Sequence, residues 1–334
     1  MKPRLAITVG DFNGIGPEIV LRSIRIRSVR DSSTPILVGP ASVFQFYAGK
    51  LHMRLSLTPF GARRTPPGAI PIVESSEVST SRITPGCIAR EAGAAAASAI
   101  TTAVAMAMRG DVDAIVTAPV SKQAMHLAGV PFAGQTEMLQ HLSQSPHVAM
   151  MLVSSHLRVG LVTIHIPLSE VSRTLTSSLV TERITVIHSA LREDWGVADP
   201  SLAVLGVNPH AGEGGDIGTE EQRIIAPALE QLRKHGLRLD GPFPADGFFA
   251  RYRPGVYDGV VAMYHDQGLI PLKMSSAGRA VNVSVGMRVV RTSPDHGTAF
   301  DLAGRGSAHP ASMTEAILLA VRIVHNRRKR TRRS

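Results

Sequence analysis

Short apolar, β-branched runs alternate with amphipathic stretches along nearly the whole chain, and this alternation predicts strands and helices in turn. LAITVG (residues 5–10) and TPILVG read as strands. Between them lie a tight DFNGIGP loop and a helix opening at PEIVLRSIRI, with Pro17 in its first turn and Glu18 beside it, both favoured there. EAGAAAASAITTAVAMAM (residues 91–108) reads as a helix whose small residues permit close packing on a sheet or on a second copy's helix. DAIVTAPVSK reads as a strand running into a polar loop, and residues 60–85, rich in Pro, Ser, Thr and Arg, as loop or short edge strands. From about residue 131, strands at VAMMLVS, RVGLVTIH, LAVLGVN and DGVVAMYH alternate with polar loops. SEVSRTLTSSLVTERITVIHSALRE carries a capping pattern and one or two helices, and TEAILLAVRIVHNRRKR is a last amphipathic helix. Strand–helix alternation of this kind implies an α/β fold with a mainly parallel sheet covered on both faces.

With 334 residues the chain is long for one core, so two domains are expected. Aromatic residues make up only 4%, which leaves the cores to Ala, Val, Leu, Ile and Met. A net charge of +10 suggests nucleic acid, but the tail NRRKRTRRS supplies more than half of it. That tail reads as a disordered, solvated end. It has no interleaved aromatics to stack bases, so nucleic acid is not expected as a partner. Cys87 is the only cysteine, which excludes an internal disulfide and fits a reducing cytoplasm. No run reads as a membrane span or a signal sequence, so a cytoplasmic protein is expected.

Three histidines follow predicted strands: His165 in VTIHIPL, His210 in VNPHAGEGG and His265 in AMYHDQGL. Each is expected to open a loop of Gly, Pro or Asp, and loops leaving strand C-termini converge on a ligand crevice. Taken singly, each could be an ordinary loop histidine. Together they could hold one divalent metal and leave a position for a substrate oxygen. Imidazoles suit Zn, Co, Ni or Fe better than a hard cation such as Mg. Asp266 and Glu213 could orient the rings, and Asp246 either reaches the same crevice or caps a helix. Lys273, Arg291 and the hydroxyl of Thr136 point to an anionic substrate such as a phosphate ester. Thr136 and Glu137 look like a helix N-terminus, which also attracts phosphate. Asn282 sits on an otherwise apolar strand and needs a partner.

The usual nucleotide fingerprints fail: GEGGDIG lacks the third glycine of a dinucleotide loop, and GDFNGIG lacks the GK[ST] of a P-loop. The segment RTSPDHGTAFDLAGRG resembles instead the adenosine-binding loop of the isopropylmalate and isocitrate dehydrogenases. By that likeness His296, Gly297, Thr298 and Ala299 would lie against adenine. Asp301 would accept the ribose hydroxyls, favouring NAD over NADP.

From ITVGDFNGIGPEI through VTAPVSK, GQTEML, NPHAGEGG and YHDQGLIPLK to RTSPDHGTAFDLAG, the chain resembles the 4-hydroxythreonine-4-phosphate dehydrogenase family of pyridoxal phosphate biosynthesis. The resemblance implies an isopropylmalate dehydrogenase-like fold of two α/β domains with an active-site cleft between them. Residues 1–130 plus 285–334 would form the NAD-binding domain, and 131–284 the substrate, metal and dimerisation domain. It implies a homodimer sharing its metal site (Zn, Co or Mg) between subunits, with His165, His210 and His265 as ligands. Gln135, Thr136, Lys273, Asn282 and Arg291 would contact substrate, and Asp246 and Asp266 would line the pocket. Lys273, Asp246 and Asp266 are the candidates for proton transfer. The implied reaction is NAD-dependent oxidation and decarboxylation of 4-phosphooxy-L-threonine to 3-amino-2-oxopropyl phosphate. One position departs: the family's substrate loop usually reads G-H-T-E, and here Gln135 replaces the histidine. Gln135 cannot become charged, which leaves open a related substrate, such as a phosphorylated threonate or erythronate or a cyclic diol. A metal-dependent phosphatase would not need the 296–301 loop, and a polyanion-binding protein would rest on the tail alone.

Overall fold

A computed structural model describes residues 1–64 and 66–331. The chain divides into two compact units, Met1–Pro146 with Met287–His325, and His147–Gly286 with the turns from Asn326.

The first unit runs β1 (Arg4–Thr8), α1 (Gly16–Ser23), α2 (Arg27–Ser32), β2 (Thr34–Val38), α3 (Ala41–Lys50), β3 (Leu57–Pro59), β4 (Ile70–Val73), α4 (Arg90–Met108), β5 (Ala114–Val116), α5 (Lys122–Leu127) and α6 (Gln135–Leu142). The second runs β6 (Ala149–Val153), β7 (Arg158–Leu161), α7 (Leu168–Thr174), α8 (Ser177–Glu193), β8 (Ser201–Leu205), α9 (Ala226–Lys234), β9 (Arg238–Phe243), α10 (Ala245–Ala250), β10 (Gly259–Ala262), α11 (His265–Ser276) and β11 (Val281–Val285). The chain then returns to the first unit with β12 (Arg291–Pro294) and α12 (Ala311–Thr331), of which the turns from Asn326 belong to the second unit.

Strands of the first unit are ordered β3-β4-β2-β1-β5-β12, and every pairing is parallel. Leu5, Ile7, Ile36, Leu37 and Ile115 are fully buried, as a sheet covered on both faces requires. The long helix α4 is apolar and long enough to cross a membrane, contrary to the expectation that no run reaches that length. Half of that window is buried inside the protein, as in a core helix. The small residues permit close packing, but at Gly93 on a helix of the same chain and not on a sheet or a second copy: a Cβ there would stand 2.0 Å from the Ala124 carbonyl oxygen, so α4 and α5 touch backbone to backbone. The strand β12 was not expected, because Arg-Thr-Ser-Pro carries no apolar signal. All four residues are nevertheless buried, and the strand is held by pairing with β5 and by Thr292 Oγ1 donating to Ala316 O at 2.8 Å.

In the second unit the order is β11-β6-β7-β10-β8-β9. Here β6 is antiparallel to both neighbours, while β7, β10, β8 and β9 are parallel. The reversal follows from the short Ser154–Leu157 turn, closed by Ser154 N–H on Leu157 O at 2.8 Å, since so brief a link joins only antiparallel strands. Leu152, Val159, Leu161, Leu205, Val260 and Leu269 form its core.

The basic tail is not a free end. The helix α12 continues through Thr331, and only residues 332–334 of the expected disordered segment lie outside the described residues. Arg327 pairs with the buried Asp194 at 2.5 Å, Asn326 donates to Asp194 O, and Arg330 meets Glu193 at 3.3 Å. Burial pushes the Asp194 carboxyl up and Arg327 pulls it back. Beside this docked end a hollow of about 470 Å³ is walled by Arg192, Trp195 and Lys329. Cations at the last turns of α8 and α12 suit the negative ends of the two helix dipoles.

Candidate active site

In the first unit the C-terminal ends of the parallel strands carry the polar residues. Leaving β1, Asp11 is fully buried. Its carboxylate accepts Asn13 N–H at 3.0 Å, and its Oδ2 has no partner among the described residues. Burial raises its pKa to about 6 against the backbone donors. Asn13 binds the turn beside it: its Oδ1 accepts Thr84 N–H at 2.8 Å and its Nδ2 donates to Cys87 O at 3.0 Å.

Arg291 opens β12 with 3% of its surface exposed. Its Nη2 donates to Thr117 Oγ1 at 2.8 Å and to Gln135 Oε1 at 3.1 Å, and its Nε reaches the same hydroxyl at 3.1 Å. Burial lowers its pKa to about 10 while Glu137 acts in the opposite sense, so it stays cationic at neutral pH. Gln135 uses both ends of its amide: Oε1 accepts from Arg291 while Nε2 donates to Ala118 O at 3.3 Å. Gln135, Thr136 and Glu137 form the first turn of α6, as their sequence suggested.

After β12, the 295–306 segment is a series of turns with Ala299 at φ 42° and Leu302 N–H on Ala299 O at 3.0 Å. His296, Thr298 and Ala299 are half-buried, and Gly297 and Asp301 are exposed. The segment packs on the β1 loop, where Ile15 N–H donates to Thr298 O at 2.9 Å.

In the second unit, His165 and His265 come together, with ring centroids 5.8 Å apart and planes at 41°. They share a cavity of about 300 Å³ with Tyr264, Asp266 and Leu168. The two segments are joined upstream, because Thr163 Oγ1 donates to Met263 O at 2.7 Å. His265 does not open a loop. It opens the helix α11, and Asp266 in the first turn holds its Nδ1 at 2.7 Å. His210 Nδ1 lies 2.8 Å from Glu213. In both residues a carboxylate oxygen stands where it can accept a hydrogen bond from Nδ1, which would leave Nε2 free to face a metal, the arrangement common among metal-bound histidines. The donor chemistry therefore fits a divalent metal. Among the described residues of one chain, however, no three His, Cys, Asp or Glu form a metal-binding group, so His210 does not complete the set with His165 and His265.

The His210 loop is strained. His210, Ala211, Gly212, Glu213 and Gly214 all have positive φ, 53°, 53°, 82°, 44° and 66°. Each non-glycine residue in this left-handed form costs roughly 1–2 kcal/mol. Glu221 lies beneath the loop with 3% exposure, and Gly212 is obligatory there, since a Cβ would sit 2.7 Å from the Glu221 Oε2. Sequence reasoning missed Glu221 and its counterpart Gln267, because neither belongs to a run that marks its tertiary partner.

Other expected residues stand apart. Asp246 lies exposed in the first turn of α10 and does not cap it, since Pro244 holds the cap position. Lys273 is exposed two turns along α11, outside the walls of the His165–His265 cavity. Asn282 lies in β11 opposite Leu152, and its buried Oδ1 has no hydrogen-bond partner among the described residues.

The fold defines an α/β protein of two units, in the second of which His165 and His265 meet beyond the carboxyl ends of β7 and β10. The family profile described as pyridoxal phosphate biosynthetic protein PdxA matches residues 31–320, and the chain belongs to that family. A protein of Desulforapulum autotrophicum named 4-hydroxythreonine-4-phosphate dehydrogenase is 41% identical over 96% of this chain and 95% of its own length. The crystal structure of the Klebsiella pneumoniae protein of that name matches with a TM-score of 0.85 and 39% identity, covering 97% of this chain and 98% of that one. A terephthalate 1,2-cis-dihydrodiol dehydrogenase from Burkholderia xenovorans is also similar, with a TM-score of 0.66 and 32% identity, over 96% of this chain and 98% of that one.

Proposed function

We propose that this protein is a nicotinamide- and metal-dependent dehydrogenase that oxidises 4-phosphooxy-L-threonine and releases carbon dioxide, giving 3-amino-2-oxopropyl phosphate for pyridoxal phosphate synthesis in the cytoplasm. The observation that carries this reading is the nearly full-length likeness, at about 40% identity, to proteins named for that activity. Arg291, with Thr136, Asn282 and Lys273, would hold the anionic ends of the substrate. A buried guanidinium braced by Thr117 and Gln135 keeps its orientation and its charge. The 296–301 segment would carry the adenosine of NAD, with Asp301 on the ribose.

His165, His210 and His265 would hold Zn, Co or Mg, which when bound supplies Lewis acidity to the substrate hydroxyl and to the ketone formed from it. The pairing of His165 with His265 inside one chain supports a homodimer in which His210 comes from the second copy. Lys273, Asp246 and Asp266 are the groups available to move the substrate protons.

The test is absorbance at 340 nm with NAD and 4-phosphooxy-L-threonine, with and without chelator. The expected result is NADH formation that chelation abolishes and added metal restores. No turnover with this substrate refutes the reading. The likeness to a dihydrodiol dehydrogenase, together with Gln135 in place of the usual histidine, supports a second reading in which a phosphorylated threonate or erythronate or a cyclic diol is the substrate. The same assay separates the two.

A further inference from the structure

We propose that Glu221 and Gln267 are positioning residues that fix the loop presenting His210, an inference that rests on reading the histidines as metal ligands. The His210–Gly214 run is left-handed at every residue, so local preference does not hold it in place. Its root is held from outside. Glu221 Oε1 accepts the N–H groups of Val207 and Asn208, both at 2.7 Å. Glu221 Oε2 accepts Asn208 Nδ2 at 2.9 Å, and Glu220 takes the same amide at 2.8 Å. One buried carboxylate thus receives three donors from the two residues that lead into Pro209 and His210. It does so from the start of a wide π turn (Glu221–Ile225), a rare irregularity that tends to mark functional positions.

Gln267 fastens the same root from the other side. Its Nε2 donates to Gly206 O at 2.5 Å and its Oε1 accepts Met263 N–H at 2.7 Å. Met263 lies two residues before His265, so one amide spans the exits of β8 and β10. Both residues act at one remove from any ligand. They order the backbone from which His210 projects.

The experiment uses the full-length protein, stripped of metal and titrated with Co²⁺ by calorimetry and by visible absorption. The variants are Glu221→Gln, Gln267→Glu, and His210→Ala and His165→Ala as references. Glu221→Gln replaces one acceptor oxygen by a donor amide, and Gln267→Glu replaces the donor to Gly206 O by a charged acceptor while keeping an acceptor for Met263 N–H. Each is expected to weaken Co²⁺ binding about 10- to 100-fold, the range for residues behind a metal ligand. Amide exchange at Val207 and Asn208 should accelerate while far-UV circular dichroism stays unchanged. Wild-type affinity in both variants, with binding lost in His210→Ala, overturns the proposal and leaves the metal reading standing. Wild-type affinity in His210→Ala and His165→Ala overturns the proposal together with that reading.

Discussion

At Asn282 the substrate role proposed for it and the stability of the fold pull in opposite directions. A buried oxygen without a partner costs about 1–3 kcal/mol, and the strand around it would accept a valine. Asn282→Val is therefore expected to raise Tm by several degrees and to lower kcat/KM at least tenfold. A calorimetric scan beside a steady-state assay reads both, and a more stable variant with full activity would refute a substrate role. Asp11 gives a pH signature. Its folded pKa of about 6 lies above the ordinary 3.8, so the folded state favours the proton. Its contribution is fully present below 3.8 and is lost as pH rises to about 6, on the order of 2–3 kcal/mol. Asp11→Asn keeps an acceptor for Asn13 and should remove that slope. Urea unfolding at pH 4 and pH 7 should show variant and wild type alike at the lower pH, and the variant more stable at the higher.

Among the elements, the end of α12 departs furthest from its sequence. Composition alone made it a solvated tail, because six cations in nine residues repel each other and bury nothing. The acids that receive them, Asp194 and Glu193, lie over a hundred residues earlier at the end of α8, and no local pattern joins the two. Arg327→Met would leave the Asp194 carboxylate buried and unpaired, a loss of roughly 3 kcal/mol. The double variant with Asp194→Leu should recover most of it, and chemical denaturation of both variants checks the cycle. The strand β12 escaped notice for a related reason. Its burial is imposed by pairing with β5, whereas strands such as β1 and β10 announce themselves by Val, Ile and Leu. The antiparallel β6 was legible as a strand, but its direction depended on a four-residue turn. His165, His265 and Arg291 were legible because each departs abruptly from the apolar run beside it. Glu221 and Gln267 look like any other polar residues on a helix.

For the molecule as a whole, the division of the histidines makes a prediction about assembly. If His165 and His265 act together with His210 of the partner subunit, His165→Ala and His210→Ala should each be inactive alone. Mixed and reassembled, they should regain about a quarter of wild-type activity, since random pairing makes half the dimers mixed and each mixed dimer keeps one intact set. Activity that stays at zero after verified subunit exchange would place all three rings in one subunit.

The chain holds a single tryptophan, Trp195, on the wall of the hollow where α12 ends. Arg158 lies 5.8 Å from the centre of its ring. All indole emission from this protein therefore originates at one corner of the second unit. A change in colour or intensity during dilution from denaturant times the arrival of the C-terminal helix, with no label attached.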